Sequence, residues 1–418
     1  MNNVWIFWVI VWVSKSCKSQ IIMSSSESSF TSLMEYCEKE GYKGWDPYDG
    51  LNSKIFQATP LRNWDVARLV LIQGCKRSPI NFRPILRIPK EYNAKGVGLF
   101  LNGYCNLYAM ALAGDSRFGQ PVDHLSKINM LAELLLSLRS EGYSGACWGY
   151  NFDWQARRLF LFPAYTPTVV ATAFCASALF SAYEATGNQK YLDVAISSGD
   201  FVLKDLNRSA CKGGFMLSYS PIPGNDTVYN ASLLGAKLLS YCYRYTQNVR
   251  YKDAASEIVS AACAGQEADG SWVYGLLPIQ SWKDSFHTGY NLDAISHYST
   301  FCDDSSFDVY MEKGLYYYID NFFESNGTPK YYHDKVYPID IHCPAQLWVT
   351  LSVLGKWEDN EALCGRVMEW TIRNMQDQAG YFYYQLKRGL SSKIPYMRWS
   401  NAFMFNAMSY YLLETHGK

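Results

Sequence analysis

Two kinds of helix take turns along most of this chain. One kind is apolar on nearly every side, as in the run that opens at Thr166-Pro167 and reaches Gly187, and a helix without a wet stripe must be buried all round. The other kind is apolar on one face only. Leu192, Ala195, Ile196, Gly199, Val202 and Leu206 share a stripe, while Lys190, Asp193, Asp200 and Lys204 lie elsewhere, the pattern of a helix wet on one side. The same alternation recurs near 97–140, 229–265, 289–324 and 344–376, where Tyr251, Ala254, Ala255, Ile258, Val259 and Ala262 mark another one-sided helix. Each pair ends in a glycine and an aromatic extended piece: Gly149-Tyr150, Gly214-Phe215, Gly270-Ser271-Trp272, Gly327 before Tyr331-Tyr332, and Gly380-Tyr381-Phe382.

A last helix from Arg398 to Glu414 has no successor, and the region from Phe30 to Gln73 holds helices without a predecessor. The two chain ends can therefore supply a sixth pair. The predicted fold is all-α, an (α/α)6 toroid with buried inner helices, half-wet outer helices and only short aromatic ribbons as strands. Closing the ring removes the apolar flanks that an open stack leaves exposed. An open superhelical solenoid is the alternative, and the irregular spacing of the repeats argues against it. Length alone would suggest two or three domains for 418 residues, but no linker interrupts the pattern. Residues 30–418 read as one domain behind a leader of residues 1–29.

In that leader, Val4 to Val13 form an unbroken apolar run, too short for a membrane span and without the basic start of a secretion signal. Two readings stay open: a cleaved signal or anchor that exports or tethers the protein, or an over-extended start upstream of Met23 or Met34. Membrane association is expected only if the run is native and retained. The polar stretch Ser24 to Ser29 is expected to be disordered. The 12 cysteines stand singly from Cys17 to Cys364, several on apolar faces, as at Cys175, Cys242 and Cys263. They read as reduced core residues of a cytoplasmic protein, not as a disulfide framework or zinc site.

Lys+Arg and Asp+Glu both total 38, and no basic arm is present to bind a polyanion, so nucleic acid is excluded as a partner. The 33 tyrosines and 13 tryptophans carry flat apolar faces with polar edges, suited to stacking on sugar rings as well as to filling a core. Carbohydrate is the expected ligand.

With its hairpins and aromatic endings, the chain resembles the six-hairpin glycosidase superfamily over residues 30 to 415. That resemblance implies glycosidase, polysaccharide lyase or sugar epimerase chemistry. Gly44-Trp45-Asp46-Pro47-Tyr48-Asp49-Gly50, Asn151-Phe152-Asp153-Trp154-Gln155, His287-Thr288-Gly289-Tyr290-Asn291 and Pro338-Ile339-Asp340-Ile341-His342 resemble a bacterial group found with exopolysaccharide and capsule synthesis functions. Membership implies a biosynthetic context, with no reaction attached, and the expected substrate is a bacterial polysaccharide or its precursor. Some members of that group carry the name delta-aminolevulinic acid dehydratase, an activity of a βα-barrel, and this chain has no β/α alternation to carry it. Gln266-Glu267-Ala268-Asp269-Gly270-Ser271-Trp272 resembles the Q-x-x-x-G-x-W repeat of triterpene cyclases. Without their aspartate-rich motifs, it reads as structural.

In a toroid, the starts of the inner helices and the loops before them converge on one mouth, where unpaired N–H groups and polar side chains meet a ligand. Asp153 reads as a general acid or base with Trp154 as a sugar platform and Arg157 beside it, or as part of an Asp–Arg pair pinning a loop. His287 and Tyr290, placed just before the inner helix with Asn291, offer an imidazole and a phenol for proton transfer. Asp340 and His342 lie two apart in an extended segment, so Asp340 can fix the tautomer of His342. Arg398 can clamp a carboxylate or phosphate while Trp399 stacks, or it can bond across the ring closure. Near the amino end, Asp46, Asp49, Arg62, Trp64, Asp65 and Arg68 form a further charged and aromatic cluster. Asp49 with Asp153 would suit glycoside hydrolysis, whereas His287, Tyr290 and Arg398 would suit proton abstraction beside a uronate carboxylate. No H-E-x-x-H, G-x-S-x-G, Walker or Rossmann pattern occurs, and neither a cofactor nor a metal is expected. Two other classes remain: a non-catalytic glycan-binding scaffold, and an isoprenoid-handling toroid, whose cavity would be apolar.

Overall fold

The computed structural model describes residues 24–155 and 161–416. The run Val4–Val13 and Arg157 lie outside the described residues. The first described helix is α1 (Ser25–Lys39), followed by an excursion holding α2 (Lys54–Gln57) and α3 (Asp65–Arg77). Five hairpins follow, inner helix first: α4 (Ala94–Leu112) with α5 (Pro121–Ser137), α6 (Val169–Thr186) with α7 (Gln189–Lys204), α8 (Tyr229–Thr246) with α9 (Val249–Cys263), α10 (Ser285–Cys302) with α11 (Asp308–Phe322), and α12 (His342–Val353) with α13 (Trp357–Met375). A last inner helix, α14 (Phe403–His416), packs on α12, on α4 and on α1. Each inner helix touches two inner neighbours, so the ring closes, and α1 is the outer partner of α14. This is an (α/α)6 toroid whose sixth hairpin is built from both ends of the chain.

The inner helices are buried nearly throughout, as in α6, where Ala171, Cys175, Leu179 and Phe180 are inaccessible. By length and composition α6 is the one described helix apolar enough to cross a membrane, but 61% of its length is buried inside the ring. The eleven described cysteines are free, and all but Cys211 are buried. Among the described residues, strands are confined to three two-stranded ribbons: β1 (Trp154–Gln155) with β2 (Leu161–Phe162), β3 (Arg208–Cys211) with β4 (Gly214–Leu217), and β5 (Ile339–Asp340) with β6 (Gln385–Leu386).

The repeated glycines have a common cause. A Cβ on Gly214, Gly270, Gly327 or Gly380 would stand 2.2 to 2.5 Å from the carbonyl oxygen of Glu257, Lys313, Arg366 or Ser32, respectively. Each turn thus rests directly on the backbone of the next outer helix round the ring. Gly380 rests on α1, which shows that the amino-terminal helix occupies a repeat position. In the first unit the docking residue is Gly145, against Ser197, rather than Gly149. Gln266 donates to the carbonyls of Gly270 (2.9 Å) and Tyr310 (2.8 Å), and Gln376 donates likewise to Gly380 (3.0 Å) and Ser29 (2.9 Å). The cyclase-like motif is therefore a brace between outer helices.

Two expectations need correction. Ser24 to Ser29 are not disordered: Ser24 caps α1 in a reciprocal capping box with Glu27, and the buried Glu27 pairs with Arg117. A serine-rich stretch is weakly helical by propensity but well suited to a helix start. The helix expected at Thr166-Pro167 starts at Val169, because Thr168 is the residue whose side chain accepts from the Ala171 N–H.

Gly380→Ala should lower stability by about 3 kcal/mol, because it combines a left-handed φ of +96° with a backbone collision, each worth about 1–3 kcal/mol. Gly41→Ala, at φ +59° with open space around it, should cost only about 1–2 kcal/mol. Urea unfolding midpoints of the two variants check the difference.

Candidate active site

Connections from inner to outer helix are short, as at Gly187-Asn188, while those from outer to inner run as long as residues 138–168. The long loops therefore gather at the amino-terminal ends of the inner helices, where they form the mouth. The excursion after α1 folds over it.

At the centre of the mouth is a buried ion pair. Arg398 donates from Nε and Nη2 to Asp46 at 2.5 and 2.9 Å, and both side chains are nearly inaccessible. Arg398 stands in a π-helical turn, Met397–Ala402, that leads into α14, and its guanidinium lies 5.1 Å from the rings of both Tyr150 and Trp399. Burial works against its charge, but Asp46 outweighs burial and leaves Arg398 more basic than usual. Behind this pair, Arg83 donates to Asp49 (2.7 Å) and to the Asp46 carbonyl (2.7 Å), and the Asp46 N–H donates to Asp49 (2.9 Å). Burial pushes the Asp49 carboxyl up to about 7 against the pull of Arg83.

Two imidazoles flank the ring of Phe286, His287 at 4.2 Å and His342 at 4.9 Å between centroids. His287 lies in the first turn of α10, capped by Asp284: Asp284 Oδ1 accepts from the His287 N–H at 3.1 Å, and Oδ2 lies 2.8 Å from Nδ1. Trp282 Nε1 also donates to Oδ2 at 3.1 Å. Asp284 thus orients the ring and leaves Nε2 for exchange. His342, the first residue of α12, is 2% exposed. Burial, with lesser contributions from Lys95 and Arg398, depresses it to about 4 although Asp340 pulls the other way, so His342 is neutral at ordinary pH.

Sequence reading missed Arg83 and one further cation. Lys95, in the first turn of α4, is 4% exposed, and its ammonium lies 4.0 Å from the ring centroid of Phe174, 4.8 Å from Phe403 and 5.6 Å from Tyr290. Burial and the nearby Arg398 push its pKa well down. Its signal was a lone lysine in the apolar run Ala94–Leu101. Asp284 was legible as a capping residue three before His287.

The structure brings His287, Tyr290, Asn291, Asp340, His342, Arg398 and Trp399 to the mouth, with Trp154 at its edge, where it stacks on Phe162 at 5.1 Å. His287 and Tyr290 belong to the first two turns of α10 rather than preceding it, and Asn291 lies within that helix as expected. The Tyr290 hydroxyl and Asn291 Oδ1 are buried without a hydrogen-bond partner. Asp340 departs from its expected geometry: it accepts from the His342 backbone N–H (3.1 Å) and from Trp399 Nε1 (3.0 Å), while His342 Nδ1 stands 3.5 Å away, beyond a good hydrogen bond. The cause is that the extended segment ends at Asp340 and α12 begins at His342. Asp153 pins its loop by accepting from the Ala164 N–H at 2.7 Å. Asp49 is spent on Arg83. Arg62 and Trp64 do not join the cluster: Arg62 binds the Gln57 carbonyl on the surface, and Trp64 is 57% exposed. Nearness in sequence to Asp49 does not place them near it in the mouth.

Fold and site together define an (α/α)6 toroid with a histidine-bearing mouth. Among solved structures the chain is similar to a cellobiose 2-epimerase from Bacillus thermoamylovorans, at 12% identity and TM-score 0.64, covering 94% of this chain and 100% of that one. It is similar also to a sugar epimerase from a ruminal bacterium (13%, TM-score 0.59, 79% and 90% covered). A family 76 mannosidase from Bacteroides thetaiotaomicron shares the fold at 10% identity and TM-score 0.59, with 94% and 100% covered. No protein-family model matches the chain, and no curated protein matches it.

The depressed His342 gives a pH signature. Its neutral form is fully stabilising above the unfolded value near 6.5, and that contribution is lost as pH falls from 6.5 towards about 4. Between pH 6.5 and 5 the wild type should lose about 2 kcal/mol more stability than His342→Gln, at about 1.4 kcal/mol per pH unit. Denaturant titrations at the two pH values check this.

Proposed function

We infer that the protein is a carbohydrate-active enzyme of the epimerase or isomerase type, moving a proton on the carbon beside the carbonyl of an open-chain sugar. The observation that carries this reading is the pair of imidazoles around Phe286, set among carboxylates that are already committed. Asp46 is held by Arg398, Asp49 by Arg83 and the Asp46 N–H, Asp284 by His287 and Trp282, and Asp340 by Trp399, Gln385 and the His342 N–H. Hydrolysis needs two carboxyl groups able to act on water and leaving group. Proton transfer at carbon needs a base on one side and an acid on the other.

In this reading neutral His342 takes the proton, and the electron pair moves onto the carbonyl oxygen. His287, oriented by Asp284, returns a proton to the opposite face or to the oxygen. The developing oxyanion forms near Arg398, whose charge is assured by Asp46. Because the fork of Arg398 is engaged by Asp46, a clamp on a uronate carboxylate is disfavoured, and lyase chemistry with it. Tyr48 meets Trp154 edge to face at 6.4 Å and lies tilted against Trp399 at 5.7 Å, and these rings must give way for a sugar to reach His342. The polar mouth and the polar ring axis described below both oppose an isoprenoid substrate. The biosynthetic setting, on a precursor of a bacterial exopolysaccharide or capsule, is part of the same proposal and is supported by the four resembling segments. A cytoplasmic location is proposed with it, supported by free cysteines.

Incubation with D-mannose, D-glucose or cellobiose in deuterated water should give an epimer or ketose carrying deuterium beside the carbonyl. His287→Ala and His342→Ala should each lower turnover by about 100- to 10,000-fold with unchanged helical circular dichroism. Release of new reducing ends from a glycan, without deuterium uptake at carbon, would overturn the assignment.

A further inference from the structure

The inner ring has a second polar region on the side of the short loops. The faces of the inner helices that point at the ring axis surround a cavity of about 70 Å³ for the centres of water-sized molecules, room for about five waters. Lys237, Asp293, His297, Gln346, Asn406 and Tyr410 supply its polar lining. Phe174, Tyr290 and Phe403, the rings that hold Lys95, line its near end and form a partition from the mouth. Neither Lys95 nor the mouth residues His287, His342 and Arg398 line this cavity.

Several groups here lack protein partners. Asp293 is 4% exposed; its Oδ2 accepts from Gln346 at 2.8 Å, but Oδ1 has no hydrogen bond. Ser177 Oγ and the Tyr290 hydroxyl are buried and unpartnered as well. Lys237 forms no hydrogen bond to a described residue and feels the charge of Asp293 across the cavity. By contrast, Asn102, Asn406, Ser181 and Tyr410 bond one another at 2.8 to 3.3 Å. The unmet demand is therefore localised, and buried polar groups left unmet are costly to the fold.

The chemistry of an occupant follows from those groups. Lys237 can only donate and an ionised Asp293 can only accept, whereas a hydroxyl does both. The two charges cancel and His297, well below its usual range through burial, is neutral, so no net charge is favoured. Leu234, Val349, Val353 and the three partition rings provide apolar wall. We propose that this axial chamber is a second ligand site, separate from the mouth, for a neutral polyhydroxylated molecule no larger than a monosaccharide. It stands independently of the reading given to the mouth.

Isothermal titration calorimetry with D-glucose, D-mannose and myo-inositol tests it. One of these should bind saturably to the double variant His287→Ala/His342→Ala, whose mouth is disabled. That binding should weaken at least tenfold in Lys237→Met/Asp293→Asn, which removes both charges together and so leaves no lone buried ion. Val353→Trp, which fills the open end without touching either charge, should weaken it as much. Absence of saturable binding in the mouth-disabled protein, or binding indifferent to both chamber variants, would overturn the proposal. An inactive wild type that still binds in the chamber would sink the mouth assignment and leave this one standing.

Discussion

Asp46 and Arg398 lie 352 residues apart and meet in a two-bonded, almost fully buried pair. The pair ties the excursion after α1 to the start of the last inner helix, at the point where the ring closes. Desolvating two charges is costly, and a buried pair holds only where its geometry and hydrogen bonding are good. Here the Asp46 carbonyl is bound by Arg83 and its N–H by Asp49, so the region is a connected network rather than an isolated bridge. Losing one partner would strand the other in a dry site, at a cost of about 3–5 kcal/mol. The mouth is thus built by the same contact that completes the fold.

That network also decides which groups remain available for chemistry. Asp46, Asp49, Asp284 and Asp340 are bonded on both oxygens by arginines, indoles, an amide, an imidazole and backbone, which makes them scaffolding. The imidazoles are left with the reactive capacity: His287 is oriented on one nitrogen, and His342 is kept neutral by burial. In the proposed reading one imidazole takes a proton and the other returns it, each positioned by different surroundings.

The hairpin plan was legible because burial all round and burial on one side leave different residue patterns, and six inner helices repeat the contrast. The polar start of α1 was misread because serines that are poor inside a helix serve well at its beginning. At the site, His287, His342 and Arg398 were legible from one topological fact, that residues ahead of inner helices share a mouth. Arg62 and Trp64 were drawn in by closeness in sequence, which a folded-back excursion does not preserve. Lys95, Lys237 and Asp293 stand within helices whose neighbours are apolar, where a charged residue points at the ring axis. Periodicity assigns such positions to the core and cannot tell an axis from a packed interior.

The glycine of each hairpin rests on the next outer helix, and the last of them rests on α1. At the other end of that seam, His416 Nε2 lies 3.5 Å from Glu27 Oε1, so the two described ends of the chain touch. The molecule is therefore a cycle in everything but its covalent bonding. Where the backbone is cut is incidental to the packing. A rearranged gene that joins these ends and opens the chain at Gly187-Asn188 would keep the hairpins, the docking contacts and the mouth in the same relation, with only the order of synthesis changed.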